Sequence, residues 1–375
     1  MTARPLRVLH IIFRLAVTNA QYNEHCLPLV GERDLSICSY TTAEVTPPSE
    51  IRLFEGDGTL RGFWKALRLA LHDSEYDAVH VHAPRTALLL LFMSIRLGRS
   101  LSNTVCTVHN SFSSFKLVNQ LLLVPIFAAF PAIVLCSKAA AASMPRWLRS
   151  LGGKRVHVVQ NGVDTDRIRR GLDNLEISES GPDFEVSWIG RLIPRKDPLC
   201  VLEAFARALP HDGRLRFIGD GSMHDRIVDA AKERGVADRV HITGLVDRED
   251  VYRHTVRADV FVSMSHSEGL PISVLEAMGC GVPVILSDIP PHREIVQGIP
   301  GIELVELGDV EGLQKELLRF CGLPPEDRRA LGERCRGIVE TKFSLTAMHR
   351  AYEAVYSSLG AMQERVGVQI EEEVT

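Results

Sequence analysis

The sequence contains no stretch of about 18 apolar residues unbroken by polar ones, the length a membrane-spanning helix needs, so no transmembrane helix is predicted. The early apolar run Arg7–Phe13 is too short for a signal peptide and is expected instead as a first buried strand. Among the eight cysteines (26, 38, 106, 136, 200, 280, 321 and 335) there is no C-x-x-C pair and no metal-ligand spacing. They are expected as reduced core residues of a cytosolic protein. Acid is missing from a long stretch: no Asp or Glu lies between Asp77 and Asp164, where Arg85, Arg96, Arg99, Lys116, Lys138, Arg146, Arg149, Lys154 and Arg155 all fall. Glycine is missing from Arg14–Tyr22, immediately after the first apolar run.

What is present describes a globular chain of two ordinary domains: 375 residues, 45% hydrophobic and 24% charged. The formal net charge of −4 hides a division, because residues 1–162 carry 17 Lys and Arg against 10 Asp and Glu. That half is expected to meet something anionic, an acceptor or a membrane surface, and no nucleic-acid partner is expected.

Short β-rich runs alternate with helical stretches, the pattern of parallel α/β sheets. In the first half the strands are expected at Arg7–Phe13, Leu35–Tyr40, Ala78–His82, Thr104–His109, Ala132–Ser137 and Val156–Gln160. In the second they are expected at Phe184–Ile189, Arg214–Ile218, Val240–Thr243, Val260–Met264, Val282–Ser287 and Ile302–Val305. Helices are expected over Phe63–His72, Pro198–Leu209, Met223–Arg234, Val251–Arg257, Leu313–Phe320 and Leu345–Leu359. The run Lys116–Ala129 has a basic start and an apolar body, and reads either as a core helix or as a surface that rests on anionic lipid. Residues 370–375 are expected as a solvated, disordered acidic tail.

The most informative stretch is Ser265-His-Ser-Glu-Gly-Leu-Pro-Ile-Ser-Val-Leu-Glu-Ala-Met-Gly-Cys-Gly-Val-Pro-Val-Ile-Leu-Ser-Asp288, with two carboxylates, Glu268 and Glu276, eight positions apart. Pro271 suits a first helical position, where its missing N–H costs nothing. The N–H groups of Ile272, Ser273 and Val274 would then point out of the helix start, a ready site for phosphate. Glu276 would accept from a vicinal diol such as a ribose, and Glu268 from the hydroxyls of a second ring. A diol, a diphosphate and a second diol outline a nucleotide sugar.

This segment resembles the E-x7-E signature of the retaining glycosyltransferases called group 1 or family 4, with Gly269-Leu270-Pro271, Glu276-Ala-Met and Gly281-Val-Pro-Val in family positions. The resemblance implies a GT-B fold: two Rossmann-like domains facing across a cleft, with a C-terminal helix crossing back to the first. Its expected bounds are an acceptor-side domain at 1–162, a nucleotide-sugar domain at 163–345, a crossover helix at 346–362 and an acidic tail at 363–375. Gly190-Arg191-Leu with Lys196 resembles the family's element whose cations hold the diphosphate, and Gly190 would let the backbone approach the ligand. Gly219-Asp-Gly221 resembles the family's G-x-G turn, and Leu245 and Val246 its base-recognising loop. Thr107-Val-His109 resembles its T-x-H, which places His109 on the sugar and β-phosphate.

His80 and His82 alternate onto one face, yet no third metal ligand accompanies them in sequence, and His82 is read as lining the cleft. Asp164-Thr-Asp166 mimics a metal-binding D-x-D, but stands in the family's N-G-V-D hinge, where Asp164 is expected to start a helix. No metal and no cofactor is therefore expected. The family's Gly-Gly turn after the first strand is absent, leaving Thr18 and Asn19 as side-chain substitutes. The expected activity is front-face hexosyl transfer from a UDP- or GDP-sugar to a lipid-linked or polysaccharide hydroxyl. It is placed in the cytoplasm, peripheral to the inner membrane face. A non-catalytic nucleotide-sugar-binding partner subunit and a sugar-nucleotide epimerase are the alternative readings.

Overall fold

The computed structural model describes residues 4–173, 184–208 and 213–374, the side chains of 173 and from 360 onward excepted. The chain divides into two units, one made of residues 1–160 with 346–375 and the other of residues 161–345. The first contains seven strands: β1 (Arg7–Ile12), β2 (Asp34–Ser39), β3 (Ile51–Glu55), β4 (Ala78–Val81), β5 (Thr104–Val108), β6 (Ala132–Leu135) and β7 (Val156–Val158). All pair in parallel, in the order β3-β2-β1-β4-β5-β6-β7. The second contains β8 (Phe184–Ile189), β9 (Gly213–Ile218), β10 (Val240–Ile242), β11 (Val260–Ser263), β12 (Val284–Ser287) and β13 (Leu304–Val305), again all parallel, in the order β10-β9-β8-β11-β12-β13. Every residue of β4, β5, β6, β11 and β12 is buried, as expected of strands covered by helices on both faces.

In each sheet the strand order reverses at one point, between β1 and β4 in the first unit and between β8 and β11 in the second. Ligands of open α/β sheets bind outside the strands' carboxyl ends at such a switch point. The loops after β8 and β11 hold Gly190–Lys196 and Ser265–Glu268, so the sheet order brings two distant motifs to one edge.

Of the expected strands Phe184–Ile189 appears unchanged, two begin one residue earlier, at Asp34 and Gly213, and most others lose one or two residues at an end, so that Tyr40, His82 and His109 lie just past the ladder. β3 was not expected. It is a five-residue edge strand, mostly half-buried, so it carries neither a continuous apolar run nor clean alternation. The C-terminal helix runs from Leu345 to Val374, which corrects the expectation of a disordered tail. That segment is Glu-rich, without Gly or Pro after Gly367, so nothing local stops the helix. This helix belongs to the first unit, where Tyr352, Val355, Tyr356 and Leu359 are buried and Arg33 reaches Glu353 at 2.8 Å.

Helix Leu117–Ala129 is core over one part and exposed over another, which bears out the core reading for the buried part only. Leu123, Ile126 and Phe127 are fully buried, whereas Leu117, Val118 and Leu121 are exposed. Two cations of the acid-free stretch are structural: Arg155 donates to the carbonyls of Phe127, Ala128, Phe130 and Leu151, and Arg99 donates to that of Leu71. All eight cysteines are free thiols, and burial raises the pKa of six of them: 26, 38, 106, 200, 280 and 335. No helix among the described residues is long and apolar enough to cross a membrane.

Candidate functional site

The second unit's switch point is built on close backbone contact. The N–H of Gly190 donates to the carbonyl of Ile218 at 3.0 Å, and that of Leu192 to Asp220 at 2.9 Å. Gly219 sits at φ 135°, and a Cβ there would stand 2.1 Å from the carbonyl oxygen of Gly190. Gly219 also forms a bridge with Gly244. The glycine turns after β8, β9 and β10 are thus locked together, a relationship that ordinary turn chemistry does not require. Beneath them Trp188 packs edge-on against Phe217, ring centroids 5.5 Å apart.

The turn Pro194–Lys196 is strapped to the loop after β11. The carbonyl of Arg195 accepts from the N–H of His266 at 2.9 Å, and the Arg195 guanidinium reaches the carbonyl of Ser267. Asp197 is held at φ 45°, the one non-glycine in the left-handed region among the described residues. Its carboxylate meets His266 Nε2 at 3.0 Å and caps the next helix at the N–H of Cys200. Strain of this kind persists only where the surroundings over-determine it, and it concentrates at functional sites.

The strap brings Lys196 Nζ to 2.6 Å from Glu268 Oε1, both side chains nearly buried. Burial alone would raise the Glu268 pKa. The Lys196 charge and its hydrogen bond, with a further one from the Ser265 hydroxyl, outweigh that and hold the carboxyl below its ordinary value. Arg191 is exposed, and its guanidinium makes no ion pair or hydrogen bond among the described residues. Leu245 is also exposed, and Val246 is half-buried.

Helix Ile272–Gly279 begins one residue later than expected: Pro271 is its N-cap, with extended backbone, not its first helical residue. Gly269 and Leu270 are buried ahead of it, and Asn161 donates to the Leu270 carbonyl at 2.9 Å. The N–H groups of Ile272, Ser273 and Val274 have no backbone acceptor among the described residues, because the first turn offers none. Glu276 lies one turn in, 5% exposed, and its Oε1 accepts from Arg248 at 2.9–3.0 Å and from the Tyr252 hydroxyl at 3.2 Å. Arg167 in turn donates to the Tyr252 oxygen at 3.1 Å. Arg248 and Tyr252 escaped the sequence reading. Both lie on helix Arg248–Thr255, which presents no motif of its own.

In the first unit the switch point holds histidines. His10 on β1 and His80 on β4 are register partners, His82 follows β4, His109 follows β5, and His25 comes from helix Ala20–His25. His82 is buried at the centre of this group, not merely a lining residue. His80 is bound on both nitrogens, by Tyr356 and by Thr107, each at 2.7 Å. Desolvation lowers the pKa of every member, His109 to about 4 and His10 to about 3, so all are neutral at pH 7. The third nitrogen that the sequence did not offer His80 and His82 comes from His10. A second triad joins His25, His82 and His109, the ligand atoms of each set lying within 4.8 Å of one another.

Asn19 is not available as a substitute for the missing Gly-Gly turn. Its side chain caps helix Ala20–His25 by accepting from the Tyr22 N–H and donates to the Arg14 carbonyl. Asp164 does start a helix, accepting from the N–H of Arg167 at 2.8 Å.

Known proteins resemble this chain along most of its length. Residues 176–337 match the family described as glycosyl transferases group 1, and residues 34–167 match glycosyltransferase family 4. The Escherichia coli UDP-Gal:alpha-D-GlcNAc-diphosphoundecaprenol alpha-1,3-galactosyltransferase is 25% identical over 295 residues, 73% of each chain. Two solved structures share the fold. Sucrose-phosphate synthase from Thermosynechococcus elongatus superposes with a TM-score of 0.77 over 97% of this chain and all of its own, at 17% identity. Anabaena HepE in complex with UDP and glucose superposes with a TM-score of 0.76 over 94% of this chain and all of its own, at 16% identity.

Proposed function

This chain belongs to the group 1, family 4 glycosyltransferases of GT-B fold, and on that premise we propose that it transfers a hexosyl group from a UDP-sugar, or next a GDP-sugar, to a hydroxyl with retention. One observation carries the reading: the second unit's switch point joins a cation turn, Gly190–Lys196, to the glutamate loop through the Lys196–Glu268 pair. The open N–H groups at Ile272–Val274 take a phosphate of the donor. Arg191 and Lys196 stabilise the charge that builds on the diphosphate as the sugar bond breaks, without a metal or cofactor. Glu276 exchanges part of its bonding to Arg248 and Tyr252 for the ribose hydroxyls, and Leu245 and Val246 lie against the base. Glu268 accepts from the sugar hydroxyls, and His109 bonds to the transferring sugar.

Glu268 is already paired and serves poorly as a nucleophile, which supports front-face displacement. The acceptor oxygen bonds the anomeric carbon on the face the diphosphate leaves, and the acceptor proton passes to the departing phosphate oxygen. A lipid-linked or polysaccharide acceptor is supported by the E. coli relative's diphosphoundecaprenol substrate. It also fits exposed Leu117, Val118 and Leu121 beside Lys116, and exposed Trp147 between Arg146 and Arg149. We accordingly place the enzyme in the cytoplasm, peripheral on the inner membrane face. The test is transfer from UDP- and GDP-hexoses to a polyprenyl-diphosphate-linked sugar, with the product's anomeric configuration read by NMR. A product that keeps the donor's configuration supports the reading, and one that inverts it overturns retention.

A further inference from the structure

His10, His82 and His109 stand in line. His10 Nδ1 lies 2.9 Å from His82 Nε2, and His82 Nδ1 lies 3.1 Å from His109 Nε2. The ring planes differ by only 15° and 23°, with centroids 5.2 and 5.4 Å apart, so the imidazoles meet edge to edge. In that geometry an N–H of one ring points at the lone pair of the next, and each N···N contact holds one proton. Burial keeps all three rings neutral, so each has one N–H and one lone pair.

Two proton arrangements satisfy both contacts. If His109 donates to His82 and His82 to His10, the His10 proton is left on Nε2. That atom is buried without a hydrogen-bond partner among the described residues. If His10 donates to His82 and His82 to His109, His10 Nε2 keeps only a lone pair. An orphaned buried N–H is the rarer and costlier defect. The second arrangement therefore prevails, and it puts the His109 proton on Nδ1.

We propose that His10 and His82 are positioning residues that lock His109 in its Nδ1–H tautomer, so that it meets the substrate as a neutral hydrogen-bond donor and not as a base. His109 Nδ1 makes no hydrogen bond among the described residues, which leaves it open to an oxygen of the sugar or of the phosphate. The proton of the acceptor hydroxyl then goes to the leaving phosphate, because the one lone pair of His109 already accepts from His82. The same bonds argue against chelation. His80 engages both nitrogens with Thr107 and Tyr356, and His82 engages both with its neighbouring histidines, so a metal at either triad would have to break this order.

The role at the substrate rests on the glycosyltransferase reading, whereas the tautomer does not, and one experiment separates them. Long-range 1H–15N correlation of 15N-histidine protein at pH 7 reads the protonated nitrogen of each ring, with His109 assigned from His109→Gln. All three rings are expected as Nδ1–H. In His10→Leu, His109 gains Nε2–H population and kcat falls about tenfold with little change in donor KM. In His10→Asn, whose amide can donate where Nδ1 did, both readouts recover. Should His10→Leu fail to fold, the wild-type spectrum and His10→Asn still decide. An Nε2–H or charged His109 in the wild-type protein overturns the proposal, as does stoichiometric Zn2+ uptake that His25→Ala abolishes. No transfer by wild-type protein despite the expected tautomers would refute the glycosyltransferase reading alone.

Discussion

Lys196 and Glu268 form a nearly buried ion pair, Nζ to Oε1 2.6 Å, between a turn after β8 and a loop after β11. Removing one partner of such a pair leaves the other charge uncompensated, which costs about 3 kcal/mol. Lys196→Met is expected to destabilise the second unit by that order and Glu268→Gln by less, because the amide still accepts from the lysine. The folded-state pKa of Glu268 lies below its ordinary value of 4.5. The pair therefore contributes stability that is complete above that value and is lost as pH falls through the folded pKa. Urea unfolding from pH 6 to pH 3 should show a shallower acid loss in Glu268→Gln than in wild type; identical slopes would contradict this.

Gly219 stands where no side chain fits, its φ at 135° and the oxygen of Gly190 at 2.1 Å from any added Cβ. Gly219→Ala is expected to cost about 3 kcal/mol or more by forcing the two loops apart. Gly337, inside helix Pro325–Lys342 with open space around it, is the control. Gly337→Ala is expected to be stabilising by about 0.5–1 kcal/mol. Thermal melts of the two variants should move in opposite directions.

On the proposed function Glu276 holds the donor and Arg191 its leaving group, so their losses should differ in kind. Glu276→Gln is expected to weaken donor binding about 10-fold or more, as a charged acceptor becomes a neutral one. Arg191→Ala is expected to lower kcat with a smaller change in KM, because its interaction strengthens only as charge develops. Steady-state kinetics of both variants settle it, and equal losses of both parameters in both variants would contradict the division.

The buried histidines make a prediction about acid that involves no catalysis. His10, His25, His80, His82, His109 and His292 all have folded pKa values depressed from 6.5, first by desolvation. A depressed pKa contributes stability that is present above the unfolded value and lost as pH falls toward the folded one, because the unfolded chain binds protons first. Each such group steepens the loss by up to about 1.4 kcal/mol per pH unit below 6.5. Unfolding free energy should fall sharply between pH 6.5 and pH 5, and His80→Phe should flatten that slope.

The second unit was the more legible half because its chemistry is local in sequence. Glu268 and Glu276 lie within one loop and helix, where their spacing already outlines a nucleotide-sugar site, and Gly190, Arg191 and Lys196 lie within one loop, which the family resemblance picks out. The partners that tune them come from elsewhere: Arg248 and Tyr252 reach Glu276 from a helix without a motif, and Asp197 reaches His266 only through the fold. The histidine group was illegible for the same reason in stronger form. Its members come from β1, helix Ala20–His25 and the ends of β4 and β5, while from the C-terminal helix Tyr356 hydrogen-bonds His80 and the Tyr352 ring packs against His25 and His80. Only register places His10 beside His80. Alternation did put His80 and His82 on one face, their rings 3.9 Å apart, but the in-line run to His109 depends on where β4 and β5 end.

The most direct measurement is a thermal-shift screen of the purified protein against UDP-, GDP- and ADP-sugars, repeated with Glu276→Gln. A ligand that binds only the native state raises its stability by RT ln(1 + [L]/Kd). The account predicts a rise in melting temperature with a UDP-sugar, or failing that a GDP-sugar, that Glu276→Gln removes. No rise with any of them, or a rise that survives in Glu276→Gln, would contradict a donor site at this switch point.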